Sequence, residues 1–110
     1  AKNPGEVTLC VSNGYKKKFY LNENFNQLPQ SIRDELKIMC VLYTEDVGGI
    51  LELVFDEDGT LQFKTSCEEN DFLYDEIGSV LKIKQYQNEK RDLLEALEMF
   101  YRIIYLGEGL

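Results

Sequence analysis

The chain has 110 residues, 44% apolar and 29% charged, with thirteen aromatics and a net charge of −8 from 20 acidic and 12 basic residues. That composition excludes a disordered chain and fits one domain over 1–110, long enough to bury a core without disulfide or metal staples. The acidic balance argues against nucleic acid and anionic membrane surfaces as partners, and the lack of any histidine rules out histidine triads and histidine metal sites.

In chain order, residues 1–5 read as a loose N-terminus. "VTLCVS" (7–12) is β-branched and ends at Asn13-Gly14, a strong hairpin signal, which makes "YKKKFYL" (15–21) the return strand. The lysines of that run suit an edge strand guarded against further pairing; a basic binding patch is the competing reading. A polar turn over 22–27 leads to Pro29, a residue suited to the first helical position. Ile32, Leu36, Met39, Cys40, Tyr43 and Val47 then recur on one helical face. Ile38, Val41 and Leu42 make the later turns apolar all round, which predicts a helix covered on every side. A strand over 38–43 is the alternative.

Gly48-Gly49 closes that helix, since glycine takes the left-handed closing conformation. For the next hairpin the register can be derived. If opposed residue numbers sum to 116, Phe55 meets Leu61, Leu53 meets Phe63 and Glu52 meets Lys64. The loop is then Glu57-Asp58-Gly59, with glycine at the left-handed position. A one-residue slip would lose every match. "SCEENDFLYDEIG" (66–78) opens a second helical region, with Ser66 and Glu69, or Asn70 and Asp71, as its cap. Ile83, Tyr86, Leu94, Leu97, Tyr101 and Ile104 continue it as one stripe, while Leu73, Ile77 and Leu81 are offset from it. A kink or break near Gly78 accounts for the offset, and a short strand over 80–85 is an alternative. The result is an α+β fold: two β-hairpins forming an antiparallel sheet with two main helices, in the order hairpin, helix, hairpin, helix.

Cys10, Cys40 and Cys67 are odd in number, widely spaced and without a C-x-x-C. Neither a zinc knuckle nor a redox pair is suggested, and free thiols suit a reducing, cytoplasmic setting. Cys10 and Cys40 read as small core residues, and the acids near Cys67 make it a poor nucleophile. No run approaches 18 apolar residues and no leader opens the chain.

Among chemical motifs, a P-loop and G-x-G-x-x-G are missing, and no cofactor is indicated. "FDEDGTL" (55–61) imitates part of a calcium loop, but Val54 and Thr65 stand where the entry and closing ligands belong, so a hairpin turn fits better. Residues 45–76 hold eleven acids against one base, Lys64. Within them "LYTEDVGG" (42–49) is echoed by "LYDEIGS" (73–79), either as a degenerate duplication or as two helix ends. Acids in a last helical turn oppose the macrodipole. Their recurrence makes Glu45, Asp46, Asp75 and Glu76, with Tyr43 and Tyr74, a candidate divalent-cation site or an acidic patch for a lysine-rich partner.

The strings "ELKIMCVLYTEDVGGI" (35–50), "VFDEDG" (54–59) and "DFLYDEIGSVLKIKQ" (71–85) resemble a family of short uncharacterised proteins of anaerobic Gram-positive bacteria, a domain of unknown function. The resemblance covers roughly 10–107. It implies a bacterial, cytoplasmic, stand-alone protein, and it implies no activity and no catalytic residues.

The leading expectation is a small acidic, non-enzymatic interaction or regulatory protein. It forms a homodimer through the apolar 93–106 segment, with Leu97, Phe100, Tyr101 and Ile104 on the interface. The alternative is a cation-dependent enzyme or sensor using Glu45, Asp46, Asp75 and Glu76. A third reading places a small metabolite in a pocket beneath the hairpins.

Overall fold

The computed structural model describes residues 5–107, so most of the expected loose N-terminus (1–5) lies outside the described residues. Strands β1 (Val7–Asn13), β2 (Lys18–Leu21), β3 (Ile50–Phe55) and β4 (Leu61–Ser66) form one antiparallel sheet in the order β2-β1-β3-β4. Helices α1 (Gln30–Val47), α2 (Glu76–Glu89) and α3 (Arg91–Ile104) complete an α+β fold. α1 and α3 lie against the sheet, and α2 packs on both of them. Period-two alternation turns Leu51, Leu53 and Phe55 of β3 and Cys10 and Ser12 of β1 to the helices. Thr8, Glu52, Gln62 and Lys64 fall on the other face, where Thr8 Oγ1 donates to Glu52 at 2.7 Å and Lys64 pairs with Glu6 at 2.5 Å.

The derived register of the second hairpin is the observed one: Phe55 opposes Leu61, Leu53 opposes Phe63 and Glu52 opposes Lys64. Gly59 takes φ +82° in the loop. The Asp56 carboxylate is engaged locally there, accepting from the N–H groups of Asp58 (2.9 Å) and Thr60 (3.0 Å) and from Gln62 Nε2 (3.1 Å). Those bonds, led by the one from Thr60, hold its pKa below the ordinary carboxylate value. They describe a turn rather than a calcium loop.

The first hairpin departs from expectation. Its loop is Gly14–Lys17, four residues long, and the return strand begins only at Lys18. The Asn13 side chain accepts from the N–H groups of Tyr15 (3.0 Å) and Lys16 (3.1 Å), which folds the loop locally instead of making a two-residue turn. Gly14 serves a close approach: its N–H donates to Gly49 O at 2.8 Å, and a Cβ there would stand 2.7 Å from that oxygen. β2 is an edge strand, as its lysines suggested, although Lys16 and Lys17 lie in the loop.

α1 starts just after Pro29, which is its cap rather than its first residue, and ends at Gly48. Leu36, Met39, Cys40 and Tyr43 are buried as expected. The expected all-round cover is absent: Ile38 and Leu42 are 58% and 50% exposed. The sheet covers one side of α1 and α2 flanks it, so the side bearing these two residues stays open.

The second helical region also differs. Residues 67–75 are irregular, and α2 begins at Glu76 with Asp75, not Ser66 or Asn70, as its cap. Asp side chains here bond the backbone locally; Asp71 Oδ1 accepts from Leu73 N at 3.1 Å, which favours turns over a helix. α2 runs unbroken through Gly78, which sits in its first turn, and through the 80–85 stretch read as a possible strand. The break falls instead at Lys90, whose ψ of 25° separates α2 from α3. There are thus three helices among the described residues where two were expected.

The buried residues form one cluster whose centre is aromatic. A short 3₁₀ turn, Glu23–Phe25, inserts Phe25 among Phe55, Phe100, Tyr101 and Tyr105, with ring centroids 5.2–6.5 Å away. Phe55 and Tyr101 stack at 4.3 Å.

Candidate functional site

The two acidic pairs have different local origins. Glu45 and Asp46 do lie in the last turn of α1, against its dipole. Asp46 is compensated there by Lys82 of α2, at 2.9 Å. Asp75 and Glu76 instead begin a helix, where acids are favourable: Asp75 Oδ1 accepts from Gly78 N at 2.8 Å. The local rule is therefore broken once, not twice. The echo between 42–49 and 73–79 joins a helix end to a helix start, so it is no structural repeat. Among the described residues no group of three or more Cys, Asp or Glu side chains is placed to hold a metal ion, so the four-carboxylate constellation is not assembled.

The echoed tyrosines do meet. Tyr43 of α1 and Tyr74 of the 67–75 segment both bond the buried Ser79 hydroxyl of α2, Tyr74 donating at 3.0 Å. Tyr43 is fully buried, and that burial pushes its pKa up to about 12. It is thus a neutral hydrogen-bonding group at neutral pH, not a base. Burial raises Tyr86 and Tyr101 as well. A phenol held neutral in the folded chain contributes stability that is full below pH 10 and lost as pH rises through 12. Unfolding free energy measured in urea should therefore fall over pH 10–12, and Tyr43→Phe should flatten that slope. An unchanged slope would contradict the burial of this hydroxyl.

The 67–75 segment is tied down from the other side too. Tyr15 Oη donates to Asp71 Oδ2 at 2.5 Å and accepts from Glu68 N at 3.0 Å. These bonds leave Phe72 and Leu73 pointing outward, 91% and 94% exposed, and Ile77 on the first turn of α2 is 76% exposed. Val80 and Leu81 continue the exposed apolar face. Residues 68–81 carry five acids (Glu68, Glu69, Asp71, Asp75 and Glu76) and no base. The offset of Leu73, Ile77 and Leu81 from the stripe was the sequence signal for this face; its exposure was not legible.

The residues expected at a dimer surface divide. Leu97 and Tyr101 are buried in the chain's own core, Phe100 is half-buried against Phe25, and Ile104 is exposed. Phe25 stacks on Phe100 and Tyr101 from within the chain, while Met99 and Ile104 of the same helix stay exposed. Cys10 and Cys40 are buried core thiols with Sγ atoms 3.9 Å apart, and Cys67 is exposed. The contact with Cys40, and then burial, holds the Cys10 thiol well above its ordinary pKa, which leaves it inert.

No helix among the described residues is long and apolar enough to cross a membrane. A family of unknown function (DUF6145) matches residues 6–109. No curated protein and no solved structure matches the chain.

Proposed function

The chain belongs to the family of unknown function DUF6145, and we propose that it is a small acidic interaction protein, not an enzyme, which docks a basic amphipathic segment of a partner protein on residues 68–81. The observation that carries this reading is the exposure of Phe72 and Leu73, at 91% and 94%, inside a stretch of five acids and no base. Large apolar side chains held outward by a hydrogen-bonded loop are anchors in search of a pocket or a helix face. The surrounding carboxylates select for lysine and arginine on that partner. They also disfavour a second copy, since face-to-face packing would bring ten acids together. A reducing, cytoplasmic setting in a bacterium accords with the three free thiols and with the family resemblance.

A helical Leu/Lys peptide and its Leu/Glu counterpart test this by calorimetry. The basic peptide should bind, more weakly as salt rises. Phe72→Ser and Leu73→Ser should each weaken it about tenfold, from roughly 1.5 kcal/mol or more of lost burial. Both side chains are exposed, so the fold should not change. Equal binding of the two peptides, or none, overturns the proposal. So does a dimer in sedimentation that these substitutions dissociate.

A further inference from the structure

The β1–β2 loop and residues 37–45 of α1 flank an open cleft of about 510 Å³, a size typical of small-molecule sites. Lys17 and Lys37 line it, with Phe19 and Val41 as apolar wall and Glu45 as its one acid; Lys18 borders it through β2, its side chain on the other face of the sheet because Phe19 is the residue that opposes the buried Ser12. Two of the chain's 12 bases thus face one cavity in a protein of net charge −8. We infer that this cleft binds a small phosphorylated molecule, its phosphate against Lys17 and Lys37 and its organic part on Phe19 and Val41.

Four observations support the assignment. Neither lysine has a carboxylate partner among the described residues, whose two salt bridges use Lys64 and Lys82. With 20 acids available, two unpaired ammonium groups beside one cavity favour an anion there. Lys17 is, among the described residues, the one non-glycine with positive φ, at 53°. Such backbone costs free energy and concentrates at ligand sites. Buried hydroxyls of Ser12 and Thr44, hydrogen-bonded to each other at 2.8 Å, give the cleft a fixed polar lining beside its apolar wall. Finally, the cations are lysines with no arginine among them. Lysine binds phosphate as a point charge and needs no fixed fork geometry to do so. The acidic remainder of the surface repels nucleic acid, so the ligand is small.

Pyrophosphate is the probe, followed by thermal unfolding and by amide NMR shifts, with sodium chloride at matched ionic strength and tricarballylate as references. The expected result is shifts confined to residues 12–19 and 37–45, and a Tm rise of roughly 10 °C at a hundredfold excess over Kd. Lys17→Gln with Lys37→Gln should weaken binding at least about tenfold, since each removes a charge-assisted contact. Both side chains are exposed, so folding should be retained, and Lys84→Gln on α2 should change nothing. An equal effect from sodium chloride, or undiminished binding by the double variant, overturns the site. A tricarballylate response matching that of pyrophosphate overturns the choice of phosphate.

Discussion

Phe55→Ala is expected to lower the unfolding free energy by about 3–5 kcal/mol, the usual cost of deleting a buried aromatic ring. Phe55 is fully buried at the end of β3, where the helix-facing row of the sheet meets α3. Its ring stacks on Tyr101 at 4.3 Å and on Phe25 at 5.7 Å. Phe25 in turn carries Phe100 and Tyr105, so the cavity opens at the hub of the cluster. Neighbouring rings are rigid and cannot collapse into the space, which sets the cost at the upper end for such changes. A domain of this size has a total stability of about 5–15 kcal/mol, so the variant should be marginal at 37 °C. Urea unfolding would show a lower midpoint with an unchanged slope. Phe72→Ser deletes an aromatic ring of the same size at 91% exposure and should leave the midpoint almost unmoved. If the two variants were equally destabilised, the separation of core from docking surface would be wrong.

The contrast between these two phenylalanines marks how far the sequence could be read. The β3–β4 hairpin was legible to the residue, because apolar alternation and a charge pair agreed on one register and a glycine fixed the loop. The core face of α1 was legible for the same reason: one period, repeated over five turns. Legibility failed where a side chain's partner came from a distant segment. Phe25 lies in a polar stretch, "NENFNQ", that gives no periodic signal, yet it packs on Phe100, Tyr101 and Tyr105 at the end of the chain. Asp75-Glu76 looks like Glu45-Asp46 in the sequence, and only the start of α2 shows that one pair caps a helix and the other ends one. The tyrosines beside those acids converge on Ser79, a residue no motif singles out. The lysine cleft was half legible. "YKKKFY" announced positive charge, but Lys37, twenty residues beyond Lys17, joins it only through the packing of α1 against β1 and β2.

Gly49→Ala should be costly for two separate reasons, each traceable to a neighbour. Gly49 is buried with φ +69°, a left-handed conformation that costs an ordinary residue about 1–2 kcal/mol. An added methyl would also stand 2.6 Å from the Ser66 carbonyl and 2.7 Å from the Tyr74 ring. Neither yields freely: Ser66 is paired to Ile50 at the end of the sheet, and Tyr74 is held by its bond to Ser79. Overpacking of this kind adds about 1–3 kcal/mol, for a total of about 2–5 kcal/mol. Gly48 separates the two causes. It too has a glycine-only conformation, with φ 86° and ψ −167°, but nothing lies within 4 Å of an added Cβ. Gly48→Ala should therefore show the backbone cost alone, about 1–3 kcal/mol. Adding Tyr74→Ala to each variant completes a double-mutant cycle. The second change should recover part of the loss in Gly49→Ala and none in Gly48→Ala. Recovery in both, or in neither, would mean that the two glycines of "LYTEDVGG" merely end a helix. Recovery at Gly49 alone would make the second of them the point where α1, the sheet edge at Ser66 and the loop bearing Phe72 and Leu73 are locked together.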